Sequence, residues 1–461
     1  QCKYDLSYTF YIFCGSGNNG VDGLAIARML YLSKYKVYCY QTKLGNNFSN
    51  DFLENKKRLE TEVYSISQIE QFPIIKNKSE GIIIDSILGS GLNRNISGLL
   101  KEIICKINQT EVEVVSIDIP SGLFSEDNSL NKIEGIIKAK YTLCFNSPKL
   151  SFVLPENYQF VGEFHVLDIG LNRDFISSLN SKYYYLTKDF FSNRVKFRNK
   201  FDHKGSFGHL LIVSGSKGMM GSTVLTSRAA LSSGVGKLSI LSPKCGEHIL
   251  QTTVIEAILE KNDGRNYLTD RYNLKYDWIV IGPGIGTNSE TKSFLISLLK
   301  KVKTPIVLDA DAINIISNEN KLLSFIPENS ILTPHPKEFE RLVGKWKSDI
   351  NKLSLLKNFS KKYKLICILK GANTSICLPN GNIYFNSSGN PGMASAGSGD
   401  VLTGIIGSLL AQGYSPEISS KLGVYIHGLA GDYAKEKFGE ISMTSSNIQE
   451  FISLAFKKLS I

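Results

Sequence analysis

The run Asn390-Pro-Gly-Met-Ala-Ser-Ala-Gly-Ser-Gly-Asp-Val-Leu-Thr-Gly404 sets one carboxylate, Asp400, among small residues just ahead of an apolar stretch. Bare backbone amides at a helix start can hold a transferring phosphoryl group as its charge develops. Asp400 is placed to take a proton from a substrate hydroxyl, and the positive helix end should keep it ionised. A plain N-capped helix is the alternative, but so many small residues ahead of a buried helix would be costly without a ligand. The sequence holds no Gly-x-x-x-x-Gly-Lys-Ser/Thr string, which excludes a P-loop enzyme.

Further strings precede Asp400 in order: Gly215-Ser-Lys-Gly-Met-Met-Gly-Ser222, Gly282-Pro-Gly-Ile-Gly286, Leu308-Asp-Ala-Asp-Ala-Ile-Asn314, Thr333-Pro-His-Pro-Lys-Glu338 and Lys370-Gly-Ala-Asn-Thr374. Asp309 and Asp311 close a strand, and either organise a pocket or cap the helix that follows. His335 lies between two prolines, whose fixed backbone could aim an imidazole; a turn histidine is the plainer alternative.

A second candidate site opens the chain. Gly15-Ser-Gly-Asn-Asn-Gly20 satisfies Gly-x-Gly-x-x-Gly between a strand and a helix, where backbone N–H groups can approach a pyrophosphate. The next strand ends in Tyr40-Gln41-Thr42 and lacks the acid that holds a ribose in an ordinary dinucleotide site. Three more loops sit at strand ends and should converge on it: Asp85-Ser-Ile-Leu-Gly-Ser-Gly-Leu92, Asp118-Ile-Pro-Ser-Gly122 and Asn146-Ser-Pro-Lys149. Asp85 could instead be a helix N-cap, and Asp118 a turn cap.

The elements that must position these residues alternate. Strands are expected at Tyr11–Cys14, Val37–Tyr40, Gly81–Asp85, Val112–Ile117 and Lys140–Phe145, with helices at Gly23–Lys34 and Asp51–Glu60. Leu179–Lys200 is polar, aromatic and aperiodic, and reads as a join. The pattern then restarts: strand Leu210–Val213, helix Ser222–Ser233, strand Lys237–Leu241. Strands follow at Trp278–Ile281, Pro305–Leu308, Ile331–Thr333, Leu365–Leu369 and Thr374–Leu378, and a long helix starts near Gly399. Two unrelated α/β domains are expected, each with a largely parallel sheet.

With 461 residues, 42% hydrophobic and 21% charged, the chain can bury a sizeable core in two or three domains. The +11 charge is spread through Lys/Asn/Ile-rich stretches, a pattern that suits anionic nucleotides and does not form the single block of a nucleic-acid surface. Eight cysteines and six histidines are dispersed, so reduced thiols in a cytoplasmic chain are expected. The opening Gln1-Cys2-Lys3-Tyr4-Asp5 shows no secretory leader, and no apolar run is long enough for a transmembrane helix.

The first-half loops together resemble the YjeF N-terminal domain, the NAD(P)H-hydrate epimerase family, over roughly residues 8–175. By that resemblance Asn18, Asn19, Gly20, Val21 and Asp22 would hold the hydrated dinucleotide, with Gly89, Ser90, Gly91, Leu92, Asn93, Arg94 and Asn95. Asn19, Asp85 and Ser121 would contribute to a K⁺ site, an oxygen-only set suited to a hard cation. Asp118 would touch the substrate and is the candidate for proton chemistry. Val21 replaces a family glycine; a β-branched residue there forbids φ > 0 and puts bulk where the substrate should lie. The helical segment that precedes the family's first strand is mostly absent from this sequence.

Gly-Ser-Gly-Asp before a helix is a ribokinase-like signature. With the five strings ahead of it, the second half resembles the ADP/ATP-dependent NAD(P)H-hydrate dehydratase family over roughly residues 200–455. Ser222, Gly286, His335 and Asp400 would line the hydrate pocket. Lys370, Gly371, Ala372, Asn373, Thr374 and Gly399 would hold the adenine nucleotide, with Mg²⁺ neutralising its phosphates. Lys337 and Ala396 stand where that family commonly has glycine.

The implied organisation is a Rossmann-like parallel sheet domain over residues 1–185 and a ribokinase-like α/β domain over 190–461. The implied activity is ADP-dependent dehydration of (6S)-NAD(P)H hydrate, with the first domain exchanging R and S epimers, in a homo-oligomer. Two alternatives stay open: a ribokinase-like vitamin or sugar kinase, and a first domain that is a non-catalytic scaffold or RNA-associated module.

Overall fold

A computed structural model describes residues 4–42, 48–75, 80–270, 276 and 278–459. The opening Gln1-Cys2-Lys3, read above for a leader, lies outside them. The chain divides into two compact units: residues 1–179 with 348–350, and residues 180–347 with 351–461.

The first unit is one parallel sheet of seven strands, β1 (Thr9–Cys14), β2 (Lys36–Thr42), β3 (Val63–Ile66), β4 (Gly81–Ser86), β5 (Glu113–Ile117), β6 (Tyr141–Phe145) and β7 (Glu163–Leu167). Their order is β3-β2-β1-β4-β5-β6-β7, so the winding reverses between β1 and β4. Every residue of β1 and β4 is buried, as continuous apolar runs covered on both faces demand. The helix Gly98–Asn108 packs Leu100, Ile103, Ile104 and Ile107 inward at helical spacing.

Two edge strands, β3 and β7, escaped the sequence. Both are short and largely exposed, so neither carries an apolar run. The helix expected at Gly23 starts at Asn18, inside the glycine string. Val21 therefore lies in a helical turn and packs against the buried cluster that includes Ile12 and Leu24; it is not among the residues with positive φ, so the expected backbone conflict does not arise.

The second unit is a ten-stranded sheet: β8 (Tyr183–Leu186), β9 (His209–Val213), β10 (Lys237–Leu241), β11 (Ile258–Glu260), β12 (Trp278–Ile281), β13 (Val307–Leu308), β14 (Ile331–Leu332), β15 (Ile366–Leu369), β16 (Ser375–Cys377) and β17 (Ile383–Asn386). The order is β11-β10-β9-β12-β13-β14-β15-β16-β17-β8, with β16 antiparallel to both its neighbours and the other pairings parallel. The presumed join is thus partly an element of the sheet: Tyr183–Leu186 pairs with β17, and Tyr184 stacks on Tyr384 at 4.7 Å. Its aromatic composition was the signal, hidden by the polar residues around it.

The helix Ser398–Ala411 is buried from Val401 onward and packs between the helices Met220–Ser232 and Pro416–Phe438. Among the described residues no helix is long and apolar enough to cross a membrane, and all described cysteines are free.

Candidate functional site

In the second unit the winding reverses between β9 and β12, and the carboxyl ends of the parallel strands carry the motif loops. Such a reversal leaves a crevice where ligands bind. Gly397 is the N-cap of the helix Ser398–Ala411 and lies in the left-handed region, φ +90°, a turn that glycine makes without strain. Asp400 follows in the first helical turn.

The neighbouring Ser222 hydroxyl favours the ionised form of Asp400, yet its pKa is pushed up to about 6. Burial is the main cause, and the Asp309 charge adds to it; Ser222 and Lys370 oppose. Desolvation and two neighbouring aspartates raise this acid, which stays mostly ionised above about pH 6. A carboxylate poised near 6 is a better general base than one near 4.

Asp309 does not cap the helix Ala310–Asn318; its side chain makes no cap bond. It is buried, accepting from Lys370 Nζ at 3.0 Å and from Thr403 Oγ1 at 2.8 Å. Asp311 accepts from the Gly286 N–H at 2.9 Å. Between the two, Ala310 is held at φ +45°, a strained angle for a residue with a Cβ. The pair therefore organises the pocket.

His335 is the N-cap of the helix Pro336–Val343. Its Nδ1 accepts from Lys337 N (3.1 Å) and Glu338 N (3.4 Å), and the Glu338 carboxylate accepts from His335 N at 2.8 Å. Burial holds the imidazole below the ordinary histidine range, which suits a ring nitrogen that accepts.

A cavity of about 560 Å³ opens beside this cluster. Lys370, Gly371, Ala372, Thr374, Gly399 and His335 line it, while Asn373 is outside its wall. Asn390 and Met393, from the run that leads to Asp400, also line it; Asn386, Ser388 and His427 line it too and were missed from sequence. His427 sits in the long helix Pro416–Phe438, with Nε2 3.2 Å from Ser398 Oγ and its pKa pushed down to about 4 by burial. Asp432, one turn further on, accepts from Gly389 N (2.9 Å) and Asn390 Nδ2 (3.0 Å), fixing the loop that forms the cavity wall. A lone histidine in an apolar helix gives no motif to search for. Ser222, Gly286, Asp311 and Asp400 do not border this cavity, whose wall includes Ser398 and Gly399 at the start of the helix that carries Asp400.

In the first unit the same logic gathers residues around β1, β4 and β5. Asp85 ends β4 and caps no helix. It is fully buried and accepts from Ser121 Oγ (2.5 Å), Ser116 Oγ (2.7 Å) and Ser121 N (2.9 Å). Burial pushes its carboxyl upward against those bonds. Asn19 donates to the Leu88 carbonyl at 2.8 Å, while its buried Oδ1 has no partner. Gly89 lies against Asn19: a Cβ there would stand 3.5 Å from Asn19 Cβ.

The rest of the expected set is less uniform. Asn18, Ser90, Gly91, Asn93, Arg94 and Asn95 are exposed, and Leu92 is half-buried. The Asn95 side chain is turned to the Leu130 carbonyl (3.4 Å) and Lys132 N (2.7 Å), so it shapes a neighbouring loop. Asp118 follows β5 at φ +65° and pairs with Lys149 at 2.6 Å. Asp22 is raised by burial and by the Asp118 charge.

The comparisons with known proteins agree with this geometry. The family model described as NAD(P)H-hydrate dehydratase matches residues 210–454, and that described as YjeF-related protein N-terminus matches residues 3–151. A bifunctional NAD(P)H-hydrate repair enzyme of Moorella thermoacetica is 32% identical, covering 97% of this chain and 87% of its own. This chain belongs to the bifunctional NAD(P)H-hydrate repair enzymes. A second member of the family, from Thermofilum pendens, is 30% identical with the same coverage. The Bacillus subtilis ADP/ATP-dependent NAD(P)H-hydrate dehydratase, co-crystallized with ATP and Mg²⁺, superposes with a TM-score of 0.52 at 25% identity, covering 60% of this chain and 98% of that one. Within the repair-enzyme family, then, the chain carries both expected modules: a Rossmann-like sheet followed by a ribokinase-like one.

Proposed function

We propose that this chain restores hydrated nicotinamide cofactors, its second unit removing the hydrate at the expense of a nucleotide phosphoryl group. The observation that carries this reading is Asp400, a half-buried carboxylate with pKa about 6 beside the Ser222 hydroxyl at a glycine-lined helix start. Asp400 takes the proton of the hydroxyl added to the nicotinamide ring, and that oxygen attacks the terminal phosphoryl group. The carbon–oxygen bond then breaks, phosphate leaves, and loss of a proton from the adjacent ring carbon restores the dihydronicotinamide. Lys370, Gly371, Ala372, Asn373, Thr374 and Gly399 hold the adenine nucleotide; Ser222, Gly286 and His335 shape the hydrate pocket. In this reading the substrate is the (6S) hydrate and the donor ADP, favoured by the fusion of both modules in one chain.

Mg²⁺ would supply charge neutralisation on the phosphates. Among the described residues no three His, Cys, Asp or Glu side chains gather to hold a metal. That fits an ion held mainly by the nucleotide, with at most one or two carboxylates.

In the first unit the reading is exchange of R and S hydrates, with Asp118 in proton chemistry and the loops 18–22 and 89–95 around the dinucleotide. The orphaned Asn19 Oδ1 and the buried Asp85 fit a K⁺ ion beside Ser121: the donors are all oxygen, and a cation would offset the cost of burying Asp85. Assembly as a homo-oligomer in the cytoplasm belongs to the same reading.

The deciding assay gives the protein mixed hydrate epimers with ADP, ATP or no nucleotide, and follows the absorbance of reduced nicotinamide. Restored absorbance with nucleotide alone is expected. A stable phosphorylated product without restored absorbance would mean a small-molecule kinase instead.

A further inference from the structure

Asp118 and Lys149 come from successive crossover loops of the first unit, after β5 and β6, and meet at 2.6 Å with their side chains 13% and 16% exposed. Among the described residues this is the most enclosed ion pair of that unit, and the strand-end string that contains Lys149 assigns it no role. Three features hold the arrangement. The Asp118 N–H donates to Leu143 O at 2.8 Å, tying the turn to β6. The Asp118 backbone is left-handed, φ +65°, which an aspartate tolerates at a cost. Both the Lys149 ammonium and the Phe145 N–H (3.4 Å) are aimed at the same oxygen, Oδ1. Oδ2 receives no hydrogen bond from the described residues.

We infer that Lys149 is a positioning residue for epimer exchange: it clamps Oδ1 of Asp118 so that Oδ2 is the oxygen presented to the hydrate. The inference rests on the proposed exchange activity of this unit. A strained backbone and a clamped oxygen are what a site needs when one carboxylate oxygen must meet a substrate in a single geometry. The cation also matters electrically. Asp22, on the helix after β1, faces Asp118 with its own carboxyl raised by burial and by that charge, and the thiol of Cys144 on β6 is pushed up to about 11 by burial. Among the described residues Lys149 is the cation that pairs with Asp118.

The test uses the full chain, without nucleotide so that the second unit is idle, and measures R-to-S hydrate exchange by chromatography. Lys149→Met should lower kcat about 10²-fold with KM changed less than about threefold. Lys149→Arg, which keeps a cationic donor for Oδ1, should recover about a tenth or more of the wild-type kcat, and it decides the matter if the apolar variant fails to fold. An unchanged kcat in Lys149→Met, or a Lys149→Arg variant that exchanges no faster than about 1% of wild type, would overturn the inference. If the wild-type chain itself leaves the epimers unexchanged, the exchange activity fails and the inference with it.

Discussion

Lys370 Nζ lies 3.0 Å from Asp309 Oδ1, and the same ammonium would stand 3.2 Å from a methyl group placed on Gly399. One cation is thus shared between the acid that raises Asp400 and the helix turn expected to face phosphate. Base strength and nucleotide binding should therefore respond together when that neighbourhood is changed.

Asp400→Asn should reduce hydrate dehydration by about 10²–10⁴-fold, the range for a positioned base. Nucleotide affinity by calorimetry should stay within about threefold, since Lys370 and Thr374 are untouched. Near wild-type turnover would remove Asp400 from its role.

The rate of dehydration should rise with pH through about 6 as Asp400 loses its proton. Stability should run the other way. This carboxyl is raised in the folded protein from 3.8 to about 6, so the native state binds more protons than the unfolded chain between those values. Its contribution is then lost as pH rises through that window, by on the order of 2 kcal/mol. Asp400→Asn should consequently melt higher than wild type at pH 8, by calorimetry, while being inactive.

Asp309→Asn removes a charge that raises Asp400, so the acid limb of the dehydration profile should shift to lower pH. It also strips Lys370 of its partner, and nucleotide Kd should change severalfold. A limb that stays put would show that burial alone sets Asp400.

Gly399→Ala separates folding from binding. A methyl here meets only Lys370 Nζ at 3.2 Å and Asp309 Oδ2 at 3.8 Å, and alanine favours a helix over glycine by about 1 kcal/mol. The melting temperature should hold or rise, while the nucleotide KM increases about tenfold or more because Lys370 must move. An unchanged KM would place the phosphates elsewhere.

Asn19→Leu should abolish any potassium dependence of epimer exchange while leaving dehydration intact, read by titrating K⁺ against Li⁺. Retained potassium activation would mean that the orphaned Oδ1 serves another purpose.

How much was legible follows from what each feature depends on. Most buried strands were found within a residue or two because an apolar run between glycine-rich loops has few other uses; β10 and β12 match their expected bounds, whereas β17, buried throughout, was not foreseen. Edge strands such as Tyr183–Leu186 pair on one side only and leave weaker traces. Asp309 could be flagged by spacing, yet its choice between cap and pocket depends on partners far along the chain, Lys370 and Thr403. His427 and Asp432 left no local trace, since their partners Ser398 and Asn390 lie in another element.

Taken alone, the residue order determined the two α/β modules, the loops that must sit at strand ends, and Asp400 as the one acid at a glycine-lined helix start, because backbone geometry and hydrophobic periodicity are local. Only the tertiary structure decided the protonation of Asp400, the pairing of Lys370 with Asp309 and of Lys149 with Asp118, and the helical setting of Val21. Desolvation and charge coupling depend on what surrounds a group in space, and neighbours in space are chosen by the sheet order rather than by distance along the chain.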